Sequence, residues 1–125
     1  TEVIYAGSRV EVGGGRIGGD GSVGAWAAKW VQDYGVVIRK KHGSIDLTTY
    51  SGQRAREWGR GRAGVPDDLE PIAREHPIKT VSLIESVEEC RDAIASGYPV
   101  PICSNQGFAM RRGWASGTSS GRFAS

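Results

Sequence analysis

The strongest periodic pattern in the chain covers residues 22–35. Val23, Trp26, Ala27, Trp30, Val31 and Tyr34 recur at helical spacing behind Ser22, a good N-cap, and Gly35 supplies a C-terminal stop. This predicts a helix packed on a core through its apolar stripe. Upstream, Val3-Ile4-Tyr5 and Val10-Glu11-Val12 are apolar enough for a helix end or for short strands, and the pattern leaves both open. Between them and the helix, Gly13-Gly14-Gly15-Arg16-Ile17-Gly18-Gly19-Asp20-Gly21 predicts a loop, because so much backbone freedom is not sustained in helix or strand. After the helix, Val36-Val37-Ile38 reads as a short extended run that Arg39-Lys40-Lys41 returns to solvent.

Residues 42–65 are polar and broken by glycine, with a short helix over residues 51–58 anchored by Trp58. Pro66-Asp67-Asp68 then looks like a helix start, its acidic residues at the positive end of the helix dipole, with Leu69, Ile72 and Ala73 on one face and Pro77 as terminator. Residues 78–84 form a strand candidate through Ile78, Val81, Leu83 and Ile84. Ser86-Val87-Glu88-Glu89 is a capping box opening a helix whose stripe is Val87, Cys90, Ala93 and Ile94, and Gly97 stops it. Val100-Pro101-Ile102-Cys103 resumes extended structure, so a strand, a short helix and a strand form one motif. Residues 109–125 are small and polar and read as an irregular tail.

Composition narrows the class. With 125 residues, 38% hydrophobic and 24% charged, the chain is read as one modest domain over residues 1–125. Glycine is the outlier, 19 residues with no collagen-like period, and four tryptophans argue against disorder. A net charge of +2 demands no polyanionic partner, so no nucleic acid is expected, and no run of apolar residues is long enough to span a membrane. The chain opens on Thr1 and its one methionine is Met110, which leads us to expect a processed product or a piece of something longer. Cys90 and Cys103 lack zinc-ligand spacing, and the default expectation is a reducing compartment with no metal. His42 and His76 each sit beside a turn residue and read as surface loop histidines.

Three local patterns invite chemistry. Gly13-Gly14-Gly15-Arg16-Ile17-Gly18 satisfies G-x-G-x-x-G, but Gly19-Asp20-Gly21-Ser22 intervenes before the helix and Asp20 puts a negative charge where phosphates would sit. A nucleotide site there is a distant alternative, and no cofactor is expected. Arg54, Arg56, Arg60 and Arg62 surround Trp58, yet Glu57, Asp67, Asp68 and Glu70 dilute their field, so a solvated face is favoured. Cys103 with His42 or His76 would make a nucleophile and base, but it lies in an apolar run with no helix N-terminus to lower its pKa. Cys90, on a helix stripe, reads as a small core residue.

Taken together, Gly19-Asp20-Gly21-Ser22 before a helix ending in Val31-Gln32-Asp33-Tyr34-Gly35-Val36 resembles the segment of papain-like cysteine peptidases in which a Gly-Gly loop precedes a helix ending in Tyr-Gly. Residues 79–84, the helix over residues 87–96, and Gly97-Tyr98-Pro99-Val100-Pro101-Ile102-Cys103 are similar to that family's strand, helix and Pro-Val strand. Ile4-Tyr5-Ala6-Gly7-Ser8-Arg9-Val10 looks most like the divergent bacterial and phage members. The resemblance implies an α+β papain-like fold, present in part: a portion of the helical subdomain and the first strands of the β subdomain. It implies a peptide or protein substrate, bound by Asp20, Gly21 and Ser22 through main-chain pairing, with Cys103 on the wall of the pocket for the substrate's second side chain. The family's nucleophilic Cys lies upstream of the Gly-Gly loop and its base His downstream of the Pro-Val strand, so no catalytic residue is expected in this chain. The alternative from another class is a non-catalytic peptide-binding or assembly domain.

Overall fold

The computed structural model describes residues 1–101, 106–108 and 119–122. Helices dominate, accompanied by two short antiparallel strand pairs, which is a mixed helix and sheet architecture. The chain forms two compact units, Thr1–Ser82 and Leu83–Ser125, a division that falls inside the span read from composition as one domain.

In the first unit the ambiguous N-terminal stretch is helical. Helix α1 covers Glu2–Gly7 and widens into a π-helical turn over Ser8–Val12, where the Gly13 N–H reaches back to the Ser8 carbonyl at 3.0 Å. Helix α2 covers Gly24–Tyr34 and ends as its sequence predicts: Gly35 adopts φ 94°, a left-handed conformation that suits glycine, and its N–H caps the Val31 carbonyl at 2.9 Å. The start differs. Val23 occupies the N-cap with no side-chain bond, and the Ser22 hydroxyl bonds Ser8 instead. Strands β1 (Lys41–His42) and β2 (Ile45–Asp46) pair across a turn at Gly43. Helix α3 (Gly52–Trp58) is capped by Ser51, whose Oγ accepts the Arg54 N–H at 3.1 Å. Helix α4 (Leu69–Arg74) buries Leu69 and Ala73.

These elements share one core built from Val3, Ala6, Trp30, Leu47, Val65 and Leu69. Trp30 is its centre, fully buried and stacked on Tyr34 with ring centroids 4.0 Å apart. Gly7 lies against the indole so closely that a Cβ there would enter the ring, which is how α1 and α2 come together. The expected extended run over residues 36–38 forms no strand; the Val36 N–H is bonded to the His76 carbonyl at 3.0 Å.

In the second unit, helix α5 covers Val87–Ala95, and Ser86 Oγ accepts the Glu89 N–H at 3.1 Å. Its C-terminus is a Schellman motif: Gly97 has φ 83°, its N–H reaches the Ile94 carbonyl, and the Tyr98 N–H reaches the Ala93 carbonyl. Strands β3 (Gln106–Phe108) and β4 (Ser119–Arg122) pair antiparallel with an irregularity in register between Gln106 and Phe108. Three expectations are corrected here. Residues 78–84 form no strand, so the first strand of the expected strand–helix–strand motif is missing: Val81 and Leu83 are exposed, and among the described residues no neighbouring strand supplies ladder partners; residues 102–103 of the expected second strand lie outside the described residues. The α5 stripe is not buried, since Val87 and Ile94 are exposed and Cys90 is only half-buried. The tail read as irregular contains β4, whose Ser-Ser-Gly-Arg sequence carries no strand pattern of its own.

Candidate functional site

The feature that stands out in the first unit is the way its glycine-rich loop is held. Tyr5, Ser8 and Arg9 occupy positions i, i+3 and i+4 along α1 and its π turn, and so share one face. The Tyr5 hydroxyl donates to the Asp20 carbonyl at 2.8 Å, and Ser8 Oγ lies 2.6 Å from Ser22 Oγ. Arg9 donates from Nη2 to the Ile17 carbonyl at 2.8 Å, from Nη1 to the Gly21 carbonyl, and from Nε to the Gly59 carbonyl at 2.7 Å. Its guanidinium also lies over the Tyr5 ring, 5.2 Å from the centroid. Arg16 fastens the start of the loop, donating to the Gly13 carbonyl at 2.8 Å and reaching over the Trp26 ring.

Asp20, Gly21 and Ser22, the residues expected to face a substrate, are all exposed. Gly18, Gly19 and Gly21 have no positive φ, and a Cβ on any of them would meet nothing within 4 Å. Neither backbone conformation nor packing inside this chain calls for glycine there. Beside Asp20 lies an open depression of about 320 Å³, lined in part by Tyr5, Tyr50, Gly52 and Arg56. Cys103, the fourth expected site residue, lies outside the described residues.

The other candidates resolve differently. Gly13–Gly18 follows a helix rather than a strand, and Gly19 to Val23 separate it from α2, so it lacks the strand–turn–helix geometry of a dinucleotide loop. In the arginine cluster, Arg54 lies over the Trp58 ring, 5.6 Å from its centroid, and occupies a face that a base would need; Arg56, Arg60 and Arg62 are exposed. His42 is not a surface loop residue: it is 9% exposed in β1, and its Nε2–H donates to the Ile38 carbonyl at 2.8 Å. A hairpin that folds over its own preceding segment leaves no periodicity, and sequence reasoning had no handle on it. Among the described residues no group of three His, Cys, Asp or Glu side chains is placed to hold a metal ion, and no helix is long and apolar enough to cross a membrane.

Arg9 went unnoticed in the sequence. It stands between Ser8 and Val10 in a short stretch with no motif, and only the helical spacing of Tyr5, Ser8 and Arg9 would have shown that three hydrogen-bonding side chains share a face. Comparison of the chain with protein-family models, with curated proteins and with solved structures finds no match.

Proposed function

We propose that this chain is part of a papain-like cysteine peptidase, a partial α+β domain whose loop over residues 18–22 holds an extended peptide by its main chain. The observation that carries this reading is the anchored loop: a rim of exposed backbone, fixed from behind by Tyr5, Ser8 and Arg9, with glycines that the fold itself does not need. Glycine at such positions admits a second backbone to hydrogen-bonding distance. The resemblance around residues 19–36 supplies the reaction class. In the whole enzyme a His would take the proton of a Cys thiol and the thiolate would attack the peptide carbonyl, with donors holding the oxyanion; the C–N bond would break as the His gives its proton to the departing amine, and water would then hydrolyse the thioester and restore the thiol. None of those groups is assigned to this chain, and no cofactor enters the reading.

A second reading, peptide binding without catalysis, needs only the anchored loop and its glycines, and none of the groups that hydrolysis would require. The parent open reading frame separates the two. A Gln-x-x-x-x-x-Cys segment upstream and a Trp-x-His or Gly-His segment downstream are expected, and alkylation of that Cys should abolish peptide hydrolysis by the parent protein. Absence of both segments would leave the non-catalytic reading.

A further inference from the structure

Arg9 is a buried cation, 3% exposed, with no carboxylate paired to it among the described residues. Taking a guanidinium out of water is costly unless hydrogen bonds replace its hydration. Here backbone carbonyls do so, two of them from the loop. We infer that Arg9 is a positioning residue that turns Gly18, Gly21 and Ser22 into a row of outward N–H donors, and that this row takes the carbonyl oxygens of an extended peptide.

The geometry follows from peptide planarity. Every described peptide bond is trans, so the C=O of one residue and the N–H of the next point in opposite directions. Drawing the carbonyls of Ile17 and Gly21 toward Arg9, and that of Asp20 toward Tyr5, turns the N–H groups of Gly18, Ser22 and Gly21 away from those side chains. Among the described residues these three N–H groups donate to nothing. A hydrogen bond accepted at the carbonyl strengthens the N–H of the same unit, by roughly 10–30%, and a charged donor is the stronger partner. The cation thus acts through the peptide units without touching the ligand. The exposed Asp20 carboxylate, next in sequence to Gly21, disfavours a free anion, which leaves the neutral carbonyl as the fitting acceptor. This inference rests on the peptide-groove reading, and its test separates the two.

The experiment is ¹⁵N relaxation and amide-shift NMR on the full chain, with acetyl-Ala-Ala-Ala-amide and inorganic phosphate as probes. The loop amides should be rigid, with order parameters near about 0.85, yet exchange freely with solvent because they are unbonded. The tripeptide should shift the Gly18, Gly21 and Ser22 amides. Arg9→Lys, which replaces a rigid fork by one ammonium, should lower the loop's order parameters below about 0.6 while α2 keeps its own, and should abolish the tripeptide shifts. Tyr5→Phe removes a single bond and should affect mainly the Gly21 amide, so the inference stays testable if Arg9→Lys does not fold. A loop already mobile in the parent chain, or variants that leave order and shifts unchanged, would overturn the role of Arg9 even if the tripeptide binds. An ordered, Arg9-dependent loop that phosphate shifts and the tripeptide does not would overturn the peptide assignment, and with it the groove reading.

Discussion

Two glutamates of the first unit act on stability with opposite sign. Glu2 is 2% exposed; burial raises its pKa, but the Ser51 N–H at 2.9 Å, its own backbone N–H and Arg39 oppose this and hold it below the ordinary 4.5. A depressed folded value means stability that is present above the ordinary carboxylate range and is lost as pH falls through the folded pKa. Glu11 is pushed above 4.5 by burial, with Glu70 and Asp67 adding repulsion against the help of the Val65 N–H. The native state then holds its proton longer than the unfolded chain, so stability falls as pH rises from 4.5 through the raised value. Urea melts across pH should show Glu2→Gln less stable than the parent at neutral pH and converging with it in acid. Glu11→Gln, which keeps an acceptor for Val65, should be neutral or more stable at neutral pH, and a clear loss there would refute its assignment. Neither role is legible in the sequence, because both depend on backbone N–H groups supplied from distant segments.

At the scale of elements, legibility followed local chemistry. Helices α2 to α5 were readable because each carries its own signals: a serine cap, an acidic first turn, or a glycine stop. What failed was pairing. Residues 78–84 have strand composition but no strand partner among the described residues, and β4 has a partner without strand composition. The caps themselves give a test, since Ser51 and Ser22 look alike in sequence and differ in use. Ser51→Ala removes the bond to the Arg54 N–H and should cost about 1 kcal/mol in denaturant unfolding. Ser22→Ala removes no cap from α2, only the bond to Ser8, and should leave the helix intact by circular dichroism. Loss of α2 helicity in that variant would restore Ser22 as its cap.

For the molecule as a whole, the sequence disclosed a core-forming helix and an exposed glycine loop, but not the side chains that hold the loop in place. Its excess glycine divides into two kinds. Gly7 is required by the ring of Trp30, and Gly7→Ala should lose about 1–3 kcal/mol by overpacking. Gly19 is required by nothing within the described fold, and Gly19→Ala should be tolerated, or gain roughly 0.4–1 kcal/mol by limiting the unfolded chain. Thermal melts of the two variants should therefore move in different directions. Laboratory evolution for heat resistance alone would fill Gly18, Gly19 and Gly21 with larger residues, and in doing so would select a sturdier protein with the proposed binding edge walled off.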